Sequence, residues 1–171
     1  RGQDIQTPIL MLGNILPDEA EDIIAGKVTQ SICSNAVAEA LEETARRRNT
    51  KATVHLKVDT GMGRIGVPPE AALPLARRIW RSPFLELEGV FTHFPTSDDP
   101  DKSFAYQQLA VFKDVLRQLQ AARITVPLIH TANSAALLDI PESYFTMVRP
   151  GIAAYGCYPS PYVARAIPLT A

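Results

Sequence analysis

Apolar residues recur along this chain in two alternating rhythms. Short runs that are apolar throughout, or at every second position, read as strands. Longer stretches with apolar residues three or four apart read as helices. The first run, TPILMLG at 7–13, reads as a buried strand. Residues 17–26 then read as a helix, opened by Pro17 with the acidic Asp18, Glu19 and Glu21 and closed by Gly26. A second strand over 28–33 leads into a helix over 35–48, with Asn35 as its N-cap and Arg46, Arg47 and Arg48 at the end where positive charge suits the helix dipole. Residues 53–60 read as the third strand, and 69–81 as a helix entered through Pro68 and Pro69. The fourth strand, 85–93, alternates as Leu85, Leu87 and Val90 before its apolar run turns continuous. A long helix over 103–123 carries Phe104, Leu109, Phe112, Val115 and Leu116 at helical spacing. A fifth strand over 128–132, a short helix from Ser134 or Ala135, and a sixth strand over 145–149 ending at Pro150-Gly151 complete the pattern.

Alternation of strand and helix means crossover units and a parallel sheet. Six units fall short of the eight in a closed barrel of ~250 residues, so an open sheet and a partial barrel both fit the count. The polar residues separate them. Arg64, His93, Asn133-Ser134 and Arg149-Pro150-Gly151 follow four different strands. A barrel brings all its strand ends to one mouth, whereas an open sheet focuses its site at a single switch point. The expected fold is therefore α/β, an incomplete (β/α)8 barrel of about six units.

The third strand carries charge on one face. Val54, Leu56 and Val58 point one way and His55, Lys57 and Asp59 the other. Buried charge is costly unless it is paired or used. Gly61-Met62-Gly63-Arg64-Ile65-Gly66 contains GxGxxG, but Val67-Pro68-Pro69 delays the next helix, so the dinucleotide fingerprint does not apply. The glycines read instead as a tight turn that delivers Arg64 over the strand end.

With 171 residues, 46% hydrophobic content and a net charge of -1, the chain suits one globular core and excludes a disordered or nucleic-acid-binding tail. Cys33 and Cys157 are isolated and read as small buried hydrophobes of a reducing, cytoplasmic setting. No apolar run approaches the ~18 residues of a membrane span. The start at Arg1, without Met or signal pattern, and the uncapped end over 166–171 read as cuts from a longer chain. Asp98, Asp99 and Asp101 precede the long helix, where acidic residues favour its N-terminus, and no metal site is expected from them. Ser134, where a strand hands over to a helix, and Gly151 after the last strand fit a phosphate cradle and equally an ordinary cap and turn. Arg149 stays charged, so burial would force it to find acceptors.

Four runs in register, VHLKVDTGMGRIG (54–66), GVFTHF (89–94), HTANSAA (130–136) and VRPGIAAYG (148–156), together resemble the alanine racemases, with TPILMLG as a weaker fifth. The resemblance implies a pyridoxal 5'-phosphate enzyme built as an eight-stranded barrel followed by a β-rich domain and assembled as a homodimer. This chain would be the third to eighth barrel strands, with 1–156 the cofactor-binding part and 157–171 the start of the connection to the second domain. Arg149 resembles the arginine that bonds the cofactor's pyridine nitrogen and keeps it unprotonated, which makes the ring a poorer electron sink and limits side reactions. Ser134 and the amides of Gly151 and Ile152 resemble the phosphate ligands, with Asn133 beside them. Arg64 resembles the arginine near the cofactor's phenolic oxygen and the substrate carboxylate. Lys57 resembles a lysine carbamylated in many members, whose anion would hold Arg64; unmodified, the two would repel. His93 and His130 resemble histidines that tune the cofactor-side arginine. The family's two primary bases, a lysine on the first strand and a tyrosine in the second domain, would lie upstream of Arg1 and downstream of Ala171. Pro95 and Cys157 depart from the family pattern beside site positions. The implied activity is interconversion of L- and D-alanine by two-base proton transfer, with the isolated chain inactive. A racemase for serine or another amino acid, and a non-catalytic phosphate- or cofactor-binding barrel, are the alternatives.

Overall fold

The computed structural model describes residues 4–164 and 168–170; residues 1–3, 165–167 and 171, which include parts of both chain ends read above as cuts, lie outside the described residues. Five strands form one sheet: β1 (Leu10–Met11), β2 (Thr29–Ile32), β3 (Ala52–Lys57), β4 (Leu85–Phe91) and β5 (Leu128–His130). Helices α1 (Ala20–Ala25), α2 (Asn35–Arg47), α3 (Pro69–Arg81) and α4 (Ser103–Ala121) connect them, and α5 (Ser134–Asp139) follows β5. Every strand pairs in parallel with the next one in sequence, so the order is β1-β2-β3-β4-β5. An order that never reverses has no switch point. Each crossover helix lies on the same side, and the sheet curls into half of a (β/α) barrel.

The outer face is sealed by helices with a conventional apolar stripe. Val37, Ala38, Leu41 and Ala45 of α2 and Ala72, Leu75, Ala76 and Ile79 of α3 pack against Val54, Leu56, Leu87 and Val90. A second cluster, Phe94, Ala105, Leu109, Ala132, Ala136 and Ile140, fixes the start of α4 and α5 under the C-terminal ends of β4 and β5. Phe94, Ala132 and Ala136 of this cluster flank His93 and Ser134 in sequence.

Several boundaries differ from the sequence expectation for local reasons. The sixth strand over 145–149 is reduced to one bridge, Met147 with His130. Phe145 has φ 49°, which turns the chain just before the bridge. The amides of Thr146 and Met147 both donate to the Ile129 carbonyl, so no ladder can extend. The N-cap of α2 is Ser34 rather than Asn35: Ser34 is extended and its Oγ accepts from the Val37 amide at 3.3 Å, while Asn35 is already helical. Cys157 is exposed and Cys33 only partly buried, both as free thiols, because Cys157 follows the short turn Ile152–Tyr155 into an uncovered loop. Among the described residues no helix is long and apolar enough to cross a membrane.

Candidate active site

The inner face of β3 and β4 is polar and almost as dry as the outer one. His55 and Lys57 are 1% and 3% exposed. A bulge lets β4 accept them. Val54 pairs with Leu87 and His55 with Gly89, leaving Glu88 unmatched. The bulge restores Val90 to the helix side and turns Phe91 inward opposite Lys57. Gly89 has no alternative. A Cβ there would lie 2.3 Å from Nδ1 of His55 and 2.4 Å from its Cε1.

Phe91 organises the cations. Its ring stacks on His130 with centroids 4.5 Å apart, Lys57 Nζ lies 4.6 Å from its centroid and the Arg149 guanidinium carbon 5.3 Å. Burial, and then the nearby Arg149, bring the Lys57 ammonium down to about 7. Arg149 is itself lowered to about 10 by burial, so it remains charged at neutral pH.

Arg149 finds acceptors on the strand ends. Its Nη2 donates to the carbonyls of Thr92 at 2.8 Å and Thr131 at 3.1 Å, and its Nη1 donates to His130 Nδ1 at 2.5 Å. Of the five N–H donors of a guanidinium, these bonds leave two without a partner among the described residues. His93 Nδ1 stands 3.5 Å from Nη2. A guanidinium only donates, so His130 presents a lone pair at Nδ1 and must be neutral. Burial, then Arg149, hold His130 down at about 2. Burial, then Lys57 and Arg149, hold His93 at about 4. Behind His130, its Nε2 meets His55 Nδ1 at 2.9 Å, and His55 Nε2 meets Glu88 Oε2 at 2.9 Å.

Arg64 sits at the rim on the loop after β3. Asp59 points along the chain rather than into the barrel. Its carboxylate accepts from the amides of Gly61 at 2.9 Å and Gly63 at 2.9 Å and so closes the loop. These backbone bonds draw its carboxyl below the usual range against a raising effect of burial. Val58 bridges Val67 to finish the turn. A Cβ on Gly66, at φ 124°, would lie 2.8 Å from the Asp59 nitrogen, so the close return of the chain requires glycine. The GxGxxG run is thus a loop clasp.

Ser134 opens α5. Asn133 caps that helix, accepting from the Ala136 amide at 3.0 Å and from Ser97 Oγ at 2.8 Å, and its Nδ2 donates to the Phe94 carbonyl at 3.1 Å. Asn133 lines the cleft, but its amide is engaged in holding Ser134 in place. Ser134 Oγ accepts from the Ala153 amide at 3.2 Å, which leaves its own proton to donate. Among the described residues the N–H groups of Gly151 and Ile152 make no hydrogen bond. A Cβ on Gly151 would point at Ser134 Oγ 3.9 Å away, into the cradle these donors form. The donor set suits a phosphate, and the cation 149 beside it suits a ring acceptor.

These groups meet in one cleft of about 370 Å³, lined by Arg64, Phe91, His93, Asn133, Ser134, Arg149, Gly151 and Ile152, with Leu12 and Asp98 at its edges. Lys57 and His130 lie behind Phe91 and Arg149. Asp101 accepts from the Ser103 amide at the entrance of α4, and among the described residues no group of three acidic, His or Cys side chains could hold a metal. Sequence reasoning missed Glu88 and Phe91. The step of three from Leu87 to Val90 in an otherwise alternating strand was the available signal of the bulge.

Residues 1–159 match the family model "Alanine racemase, N-terminal domain". Among curated proteins the chain is 44% identical over 166 residues to the alanine racemase of Desulforamulus reducens, covering 96% of this chain and 45% of that protein. It is 35% identical to that of Methanococcus maripaludis, covering 96% and 44%. Among solved structures, alanine racemase from Clostridium difficile 630 in complex with cycloserine superposes with a TM-score of 0.93 at 37% identity, covering 96% of this chain and 45% of that one. The Bacillus anthracis enzyme with bound L-Ala-P gives 0.87 at 31% identity, covering 99% and 44%. The chain spans about 45% of the length of the relatives it matches.

Proposed function

This chain belongs to the alanine racemase family through its N-terminal domain, and on that premise we propose that the full-length protein interconverts L- and D-alanine with pyridoxal 5'-phosphate held in the cleft. One observation carries the reading: Arg149 and the Ser134, Gly151 and Ile152 donors open into the same cavity. Ser134 Oγ and the two amides would hold the phosphate. Arg149 would turn its uncommitted N–H groups to the pyridine nitrogen. When bound, the cofactor supplies an electron sink for the α-carbon of an amino acid. Because Arg149 keeps its own proton, it would leave the ring nitrogen unprotonated, so that the sink would be a weak one and side reactions would be limited. His93 and His130, neutral at working pH, hold Arg149 without competing for that proton.

Arg64 at the rim would grip the substrate carboxylate with its fork. Lys57, buried beside two arginines, is poised for carbamylation: its neutral amine attacks carbon dioxide, forms an N–C bond and releases a proton. The resulting anion offsets Arg149 and Arg64. Residues 1–156 form the cofactor half in this reading and 157–171 lead toward a second domain. The two primary bases belong to the remainder of the protein. The exposed Leu12 and Ile152, which line the cleft, fit cover by that remainder and by a second copy in a homodimer.

The test is racemisation by the full-length protein supplied with pyridoxal phosphate, read by the optical rotation of alanine. Turnover is expected with a bound-cofactor absorption band, and Ser134→Ala should weaken cofactor retention roughly tenfold. The 171-residue chain alone should not racemise. No band and no turnover from the full-length protein would overturn the proposal, and faster turnover of serine would replace its substrate.

A further inference from the structure

The inner face holds a line of four groups that ends away from the cleft, and only its first two members, Arg149 and His130, enter the function above. Arg149 Nη1, His130 Nδ1, His130 Nε2, His55 Nδ1, His55 Nε2 and Glu88 Oε2 follow one another with contacts of 2.5, 2.9 and 2.9 Å. We propose that Glu88 is a positioning residue that sets the tautomer of both buried histidines and thereby keeps Arg149 oriented as a donor toward the cleft. The value of that orientation rests on the reading of Arg149 given above; the direction of the line does not.

The direction follows from the two ends. A guanidinium has no lone pair to offer, so His130 Nδ1 accepts. A neutral His130 then carries its proton on Nε2 and donates to His55 Nδ1. His55 in turn carries its proton on Nε2 and donates to the Glu88 carboxylate, which only accepts. Every contact has one donor and one acceptor in this arrangement. A second proton on either imidazole would set two N–H groups against each other. The arrangement is also sterically determined. The β4 bulge presents both an acid and an empty backbone position to the same ring, Glu88 at its edge and Gly89 under its face. His55 and His130 are 1% and 0% exposed, so water offers neither ring a substitute partner. Glu88 itself keeps 37% of its side chain exposed at the far end.

Removing the carboxylate frees His55 to place its proton on Nδ1. That proton would point at His130 Nε2 and push the His130 proton onto Nδ1, donor against donor with Arg149. Glu88→Gln retains an acceptor oxygen at the same reach and should preserve the line. Glu88→Leu removes it.

The experiment uses full-length protein freed of cofactor, labelled with ¹⁵N-histidine and read by long-range NMR of the imidazole nitrogens. In the unaltered protein, both His55 and His130 should carry the proton on Nε2, and Glu88→Gln should give the same pattern. In Glu88→Leu, at least one ring should show its proton on Nδ1. A proton on Nδ1 of either ring in the unaltered protein, or an unchanged pattern in a folded Glu88→Leu, would overturn the proposal. If the leucine variant does not fold, Glu88→Ser, whose hydroxyl is too short to reach His55, takes its place, with the same expected and the same overturning pattern. Adding pyridoxal phosphate afterwards separates the two claims: the expected tautomers without any absorption band would leave the relay standing and remove the cofactor reading.

Discussion

The two faces of β3 and β4 are buried to the same depth by opposite means. Outward, Leu56 and Val90 are sealed against apolar side chains of the surrounding helices, and any residue of similar shape serves. Inward, His55 and His130 are just as dry, yet each ring nitrogen has one specified partner. The outer face supplies folding free energy. The inner face is arranged to hold a cation and two neutral imidazoles, a combination that burial alone disfavours. Depth of burial therefore says nothing here about role; partner specificity does.

The largest expected effect of a single substitution breaks the outer face. Leu56→Ala should lower the unfolding free energy of the full-length protein by about 3 kcal/mol in urea titration while leaving the histidine tautomers untouched. Gly89→Ala should cost about 2–3 kcal/mol as well, but by driving the His55 ring off its partners. If Leu56→Ala altered the tautomers, the two faces would not be separable.

Acid should act on the inner face next. His130 is neutral in the folded state down to about 2, while an unfolded histidine gains its proton near 6.5. The unfolded state thus binds more protons below that pH. The stabilisation tied to the neutral ring is fully present above about 6.5 and falls by about 1.4 kcal/mol per pH unit on acidification. His93 adds a similar slope until about 4, and His55, lowered by burial, acts in the same direction. Urea titrations at successive pH values from neutral to 5 measure this. A flat profile would mean that the rings are not held neutral.

The smallest effect on stability should come from Lys57→Met. The Lys57 ammonium sits over Phe91 without an ion pair among the described residues. Replacing it with an apolar side chain should change the unfolding free energy by less than about 1 kcal/mol. Racemisation should nevertheless fall roughly tenfold or more if a carbamate there steadies Arg64. A large loss of stability with unchanged turnover would reverse the assignment of Lys57 to function.

The helices were legible because each carries its own period: the apolar spacing of 69–81 and the start of 103–123 coincide with α3 and α4. The inward charge of His55 and Lys57 was legible for the same reason, since strand alternation is local. The weak outer strands were not. β1 keeps two residues, and 145–149 keeps one bridge, because pairing in that last segment depends on a φ at Phe145 and hydrogen bonds from Thr146 that no periodicity records. Asp59 was assigned to the inner face by alternation, but its carboxylate turned back to the Gly61 and Gly63 amides once the strand ended.

By itself the sequence determined the parallel βα alternation, the motifs that carry the family resemblance and the residues with charge to place, all of which depend on neighbours a few positions apart. Tertiary structure decided that the sheet order never reverses, that Arg149 reaches His130 and the strand-end carbonyls, and that Glu88 reaches His55. Those contacts join residues 18 to 57 positions apart, and a hydrogen bond has a direction and a length that only the folded backbone can set.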